Sequence, residues 1–456
     1  MSSTAHSSPM HQFDEPMTDL INNFVKSRLS MDETPLDFEG VKAEVEAAIA
    51  GLISPSGHSA EHVLGIYEHS LAPTVLSADS PRFLSFIPAA PTKASLLFDT
   101  VVSCASLQGM SWLEAAGAIA AENQVLRWIA DEVGMPAEAS GTFVSGGSAA
   151  NLSALTVARE VGRERTGSRR VRIALSEQAH SSIGSSLKIL DVDPVFIETD
   201  NHRVTGESLR RTLEKYDGEE PIVAVVVTSG TTNAGLVDDI AGVSAVAQEN
   251  NLWLHVDGAY GGAGVLSPLT RDLYRGIEQA DSFITDPHKW WFSPFDCAAL
   301  LYKDPRKAVE VHTQDASYLD VLHDGLPLDR FNPTDVAYHL TRRARGLAMW
   351  FSVSVYGTDA YRNAVTSSIA LARECAAYIK EQPQLELIME PMLSVVLWRR
   401  VGWQAADYAD LQERLLRDQI GFVTPTKWQG ETVGRFAFLH PDTTMHMVEE
   451  ILAYTK

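Results

Sequence analysis

Between about residues 140 and 302, short apolar runs recur, and most of them stop at a glycine or a polar residue. Gly141-Thr-Phe-Val, Val171-Arg-Ile-Ala-Leu, Pro194-Val-Phe-Ile, Ile222 to Thr228, Leu252 to Val256, Asp281-Ser-Phe-Ile-Thr and Ala298-Ala-Leu-Leu-Tyr have strand length. Ile222-Val-Ala-Val-Val-Val shows no polar alternation, as expected of a strand covered on both faces. Helical patterns such as Ala149 to Glu164 lie between the runs. This alternation predicts an α/β fold with a mainly parallel sheet and crossover helices.

The flanks read differently. Leu20, Ile21, Phe24 and Val25, then Val41, Val45 and Ile49, recur at helical spacing. After Gly346 come a long helix through Ala376 to Ile379, the run Leu393 to Trp398, a helix near Leu411 to Asp418, the run Arg435 to Leu439 and a last helix. The expected division is a loose tail over 1–15, a helical segment over 16–80, a large domain over 81–346 and a small α+β domain over 347–456. The helical segment is too small for a core of its own and is expected to pack on the main domain or, at a dimer interface, on a second subunit.

Charge and cysteine usage narrow the setting. The 456 residues carry a formal charge of −22, which disfavours nucleic acid and anionic membranes as partners. Three widely spaced cysteines, Cys104, Cys297 and Cys375, without a C-x-x-C pair, suit a reducing cytoplasm. Met1 to Pro16 lacks the apolar stretch of a signal peptide, and no run approaches the roughly 18 residues of a membrane span.

Five strand ends carry candidate chemistry. Asp257 closes the run Leu252-Trp-Leu-His-Val and is followed by Gly258, where ligands gather in open α/β sheets. Its bland reading is a helix cap. Lys289 lies between the run Ser282 to Thr285 and the pair Trp290-Trp291, a setting that desolvates an amine; the commoner fate of one lysine is a surface stem. Together they match the needs of pyridoxal 5'-phosphate (PLP), a lysine for its aldehyde and a carboxylate for its pyridine nitrogen. Gly146-Gly147-Ser148, between a strand and a helix, suits a phosphate at a helix N-terminus, or simply a tight turn. It is not a P-loop, and Gly258 to Gly264 do not spell G-x-G-x-x-G. His180 can stack on an aromatic cofactor and exchange protons, and Thr228 to Asn233 offers hydroxyls beside a close-approach glycine.

The combined pattern resembles the PLP-dependent group II decarboxylases, of the aromatic-L-amino-acid decarboxylase kind. Asp286-Pro287-His288-Lys289-Trp290 is its most specific string. Ser80 to Phe86, Ser111 to Glu114, Arg342 to Trp350 and Arg435 to Pro441 add to it. The resemblance implies PLP fold type I, the aspartate-aminotransferase type, and a homodimer with active sites at its interface. It implies that Lys289 holds PLP as a Schiff base, Asp257 pairs with the pyridine nitrogen, and His180 and Ala259 cover the two ring faces. Gly147, Ser148 and His288 resemble phosphate contacts, and Thr232 the residue near the ring hydroxyl and the lysine. Asp286 stands where several relatives have asparagine, and a carboxylate there would repel the phosphate.

The implied reaction is decarboxylation of an L-amino acid to its amine. Phe83, Phe86, Ile87 and Pro88, with Trp112, resemble the apolar pocket wall of aromatic decarboxylases; ordinary core packing is the alternative. Arg435 would serve an acidic substrate or a structural pair. Aromatic decarboxylases return the Cα proton from a tyrosine on a mobile loop, which corresponds here to about His323 to Asp335. Phe331 is its aromatic residue and Tyr338 follows it. Phenylalanine at that position accompanies oxidative conversion to an aldehyde in some relatives. An acidic or diamino substrate, a cysteine desulfurase or aminotransferase, and a non-catalytic PLP-binding protein are the competing readings. Cys297 and Cys104 are both expected to be buried and therefore poor nucleophiles. His58 and His62, at i and i+4, lack an evident third metal ligand.

Overall fold

The computed structural model describes residues 9–314, 316–317, 319–323 and 331–456. Seven strands make the large sheet: β1 (Ser140–Val144), β2 (Arg172–Leu175), β3 (Asp193–Phe196), β4 (Ile222–Thr228), β5 (Trp253–Asp257), β6 (Ser282–Thr285) and β7 (Ala298–Tyr302). Their order is β1-β7-β6-β5-β4-β2-β3. Strand β7 is antiparallel to both neighbours, and the remaining pairs are parallel.

The unbroken apolar run of β4 follows from this topology. Val225 and Val227 enter the core on one face with Ile240 and Val243, while Ala224 and Val226 enter the other with Ala154 and Ala158 of the helix Gly147–Thr166. A strand side chain alternates faces, so two covered faces demand apolar residues at every position. The run at Pro194, whose apolar character reads as a buried strand, instead lies at the rim of the sheet. β3 pairs only with β2, and Phe196 is 55% exposed. An edge strand tolerates proline because its outward N–H has no partner to lose.

The C-terminal part holds a second, antiparallel sheet: β8 (Leu385–Leu387), β9 (Val395–Arg400), β10 (Thr426–Trp428) and β11 (Glu431–Ala437), ordered β10-β11-β9-β8. Val396, Trp398 and Phe436 pack against the helices Thr358–Glu381, Ala405–Arg417 and Met445–Ala453. Val395, Leu397 and Val433, on the other face, join the core of the large sheet.

The N-terminal helices Glu15–Leu29, Lys42–Ala48 and Ala60–Ile66 contain no buried residue. Of the expected tail, residues 1–8 lie outside the described residues; Asp14 caps the first helix by accepting Met17 N at 2.9 Å. No helix among the described residues is long and apolar enough to cross a membrane.

Candidate active site

The parallel strands all end at one edge of the sheet, and there the polar strand ends meet. The chain leaves β6 at that edge and comes back through β7, so Asp286 to Asp296 stays beside the end of β5. Trp290 and Trp291, both 0% exposed, anchor this segment. Trp290 stacks on Tyr260 at 5.4 Å, and Trp291 Nε1 donates to Thr285 Oγ1 at 2.8 Å. Each indole buries roughly 150–250 Å², on the order of 4–6 kcal/mol at ~25 cal/mol per Å². Two such anchors fix Lys289 between them and the strand, leaving its side chain 21% exposed.

Lys289 Nζ lies 2.9 Å from Asp286 Oδ2, and His288 Nε2 lies 3.6 Å from the same oxygen. His288 Nδ1 accepts the N–H of Cys297 at 3.0 Å, so its neutral ring carries the proton on Nε2. Burial lowers the His288 pKa, against the pull of Asp286. Asp286 is 2% exposed, and its Oδ1 has no hydrogen-bond partner among the described residues.

Asp257 is 3% exposed and tightly specified. Its Oδ1 accepts Ala259 N at 3.0 Å and its Oδ2 accepts Asn151 Nδ2 at 3.0 Å. Gly147 opens the helix Gly147–Thr166 against the same place. A β-carbon there would stand 3.0 Å from Asp286 Oδ2 and 3.2 Å from Ala259 Cβ. His180 is exposed and caps the helix Ser181–Ile189, its Nδ1 accepting Ser182 N at 3.2 Å.

Lys289, Asp257, Asp286, Gly147, Ala259 and His288 are thus brought together at one edge, with His180 joined to Asp257 through Ser182 and Asn151. Ser148, the second residue of its helix, is exposed beside Gly147. Thr232 is exposed, and its main-chain oxygen accepts Arg435 Nη2 at 2.6 Å. Arg435 also donates to the carbonyls of Asn233 (3.1 Å) and Phe86 (2.8 Å). These three contacts go to main-chain oxygens, which makes Arg435 a clamp between segments; burial lowers its pKa to about 10.

Among the pocket candidates, Phe83 is buried against Leu36 and Phe422, whereas Phe86 is 62% exposed with φ +52°. Ile87 packs on the main core, and Pro88 is buried. Trp112 and Phe331 lie apart from this group. Trp112 Nε1 donates to Phe331 O at 3.0 Å, and both line a cleft of about 330 Å³ with Ser140, at the opposite end of β1 from Gly147. Residues 324–330 of the expected loop lie outside the described residues. Tyr338 is 51% exposed, and its N–H donates to Ser153 Oγ at 3.3 Å.

Cys104 corrects the expectation of burial: it ends the helix Lys93–Cys104 and is exposed, two residues beyond buried Val102 and so on the other side of the helix. Cys297 is buried, which raises its thiol pKa well above the ordinary value. The His58 and His62 rings lie 5.6 Å apart, and no group of three or more His, Cys, Asp or Glu suited to a metal ion occurs among the described residues.

Two residues of the site were missed in the sequence, His255 and Asn151. Their signals were readable: His255 is two residues before Asp257 and so on its face of β5, and Asn151 is one helical turn beyond Gly147.

The donors and acceptors fit PLP. A buried carboxylate held by two donors suits the pyridine nitrogen, a partly desolvated amine suits the aldehyde, and a helix N-terminus without room for a β-carbon suits a phosphate. Asp286 also stands at that helix end, with one oxygen lacking a donor among the described residues.

Comparison with known proteins agrees. The family model for the pyridoxal-dependent decarboxylase conserved domain matches residues 45–401. An aromatic-L-amino-acid decarboxylase of Bacillus atrophaeus is 28% identical, over 89% of this chain and 86% of its own. An L-2,4-diaminobutyrate decarboxylase of Acinetobacter baumannii is also 28% identical, over 72% of this chain and 68% of its own. The crystal structure of Oryza sativa TDC with PLP and tryptamine shares the fold, with a TM-score of 0.85, 23% identity and 96% of each chain covered. With an α/β sheet of fold type I, a candidate PLP site at its carboxyl edge and a family match over most of its length, the chain belongs to the pyridoxal-dependent decarboxylases and is a PLP-dependent amino-acid decarboxylase.

Proposed function

We propose that the substrate is an aromatic L-amino acid and that the product is its amine. The observation carrying this reading is the Arg435 clamp. It ties Phe86 O to the loop at the end of β4, which supports assigning the exposed Phe86 ring, 6.4 Å from Phe83 and 6.3 Å from Phe422, to the active edge. An apolar aromatic wall there selects a flat side chain.

Bound PLP supplies the sink for the electrons left when CO2 departs from Cα. Lys289 would provide the amine that holds the cofactor. Asp257, whose two oxygens are each fixed by one donor, would keep the pyridine nitrogen protonated. His180 and Ala259 would cover the ring faces. The N–H groups of Gly147 and Ser148 and the Nε2–H of His288 would hold the phosphate, with Thr232 near the ring hydroxyl. Such roles would orient the Cα–carboxylate bond and exclude water from it.

A homodimer accompanies this reading. Met17, Ile21, Val41, Ile49, Ile53 and Val63 are exposed on the N-terminal segment, an uncovered apolar surface that a second copy would bury. A cytoplasmic setting is supported by three free thiols, and the charge of −22 argues against nucleic acid. The test is an amino-acid panel scored for CO2, hydrogen peroxide and ammonia. Aromatic substrates giving CO2 and amine are expected. All three products together would establish aldehyde formation, and turnover confined to acidic or diamino substrates would reject the aromatic choice. Light scattering of the same sample should give twice the chain mass.

A further inference from the structure

Behind the site runs a line of buried polar side chains, Trp253, Ser282, His255, Asn151 and Ser182, that ends on Asp257 and on the exposed His180. Trp253 Nε1 donates to Ser282 Oγ at 2.8 Å, and Ser282 Oγ meets His255 Nδ1 at 2.8 Å. His255 Nε2 meets Asn151 Oδ1 at 2.9 Å. Asn151 Nδ2 reaches Asp257 Oδ2 at 3.0 Å and Ser182 Oγ at 3.1 Å, and Ser182 Oγ meets His180 Nδ1 at 2.9 Å. His255 is 0% exposed and Asn151 1%.

The direction of every link follows from the ends. Asp257 Oδ2 accepts from the amide nitrogen of Asn151, so the amide oxygen faces His255. His255 Nε2 must then carry a proton. Burial lowers its pKa to about 4, so the ring is neutral and Nδ1 accepts from the Ser282 hydroxyl. Trp253, which only donates, completes Ser282. At the other end Ser182 receives an Asn151 N–H, leaving its own hydroxyl proton for His180 Nδ1. The main-chain N–H of Ser182 points at the same nitrogen, 3.2 Å away.

We propose that His255 and Asn151 are positioning residues: through this one-way hydrogen-bond chain they hold Asp257 as the acceptor for the cofactor nitrogen and fix His180 in the tautomer that presents an Nε2–H donor to the reacting face. The inference rests on the assignment of Asp257 and His180 to the PLP site. Its second part concerns the ring of His180 alone and can be measured without cofactor. Asn151→Ala removes a donor to a buried carboxylate, and His255→Leu removes the contact that orients that donor, either loss worth roughly tenfold in affinity for whatever Asp257 binds.

The experiment combines two readouts. In cofactor-free protein carrying 15N-histidine, at a pH where the ring is neutral, the His180 signal (identified by its loss in His180→Asn) should show a protonated Nε2 and a bare Nδ1. In PLP titrations, His255→Leu and Asn151→Ala should each raise the PLP Kd roughly tenfold. His255→Gln, whose amide can still donate to Asn151, should stay within about threefold of the unsubstituted protein. A protonated Nδ1 in His180 would overturn the chain, whatever the His255 and Asn151 variants do. So would PLP affinity unmoved by His255→Leu. Absence of PLP binding by the unsubstituted protein would instead remove the cofactor assignment, leaving the tautomer result to stand by itself.

Discussion

Gly147→Ala separates stability from cofactor binding, because the two respond to different consequences of one methyl group. The added carbon would meet the Asp286 oxygens at 3.0 and 3.1 Å and Ala259 Cβ at 3.2 Å. These neighbours must yield by a few tenths of an ångström, at a cost on the order of 1 kcal/mol. Alanine offsets part of this, since it favours a helix over glycine by roughly 1 kcal/mol in an interior and by less at this first position. Folding stability should therefore barely change, with Tm within about 2 °C of the unsubstituted protein. Cofactor affinity should change much more. The displaced side chains frame the helix N-terminus, and misaligning one charge-assisted hydrogen bond there costs about 1.5–3 kcal/mol, or about 10- to 150-fold in Kd. Titration with PLP, followed by absorbance of the bound cofactor and paired with thermal unfolding of the cofactor-free protein, gives both numbers. A PLP Kd within twofold of the unsubstituted value would refute the reasoning. A fall of 10 °C or more in Tm would show that the strain spreads through the helix.

Further outcomes follow from buried charge. Arg342 and Glu122, with side chains 0% and 3% exposed, pair through contacts of 2.7 and 2.8 Å, and Glu122 also accepts Gly346 N at 2.8 Å. Glu122→Gln leaves the guanidinium uncompensated and should cost about 3–5 kcal/mol in urea unfolding; a loss below 1 kcal/mol would contradict that account. His339 is lowered to about 4, first by burial and then by Arg342 and Arg345, while its unfolded value is near 6.5. The folded state therefore binds fewer protons between those values, and its contribution, present above pH 6.5, is lost as pH falls towards 4. The loss is on the order of 3 kcal/mol, and His339→Gln should flatten the fall in stability over that window. An unchanged slope would mean that His339 titrates normally in the fold.

Much of the frame was legible because its causes are local. A strand covered on both faces must be apolar at every residue, so β4 announced itself. The glycine turn before the helix Gly147–Thr166, Asp257 and the Asp286-Pro287-His288-Lys289 segment each follow an apolar run, and chain order placed them at strand ends. The edge position of β3 was not legible, since Pro194-Val-Phe-Ile has the same apolar character in the middle of a sheet or at its rim. Burial of Cys104 was misjudged for a similar reason: helical periodicity gives relative sides, but only packing says which side is inward.

The sequence by itself determined the type of fold, the lysine and carboxylate that a PLP enzyme needs, and the glycine turn that admits a phosphate, because each depends on residue type and near neighbours. Only the tertiary structure decided how these groups are held. It joined His255, Asn151 and Ser182, from three separate segments, into a hydrogen-bond chain linking Asp257 with His180. It set Arg435 on three carbonyls and sent Trp112 and Phe331 to the far end of β1. Those arrangements depend on which buried donor finds which acceptor, and that is fixed by the crossing of distant elements, which sequence spacing does not carry.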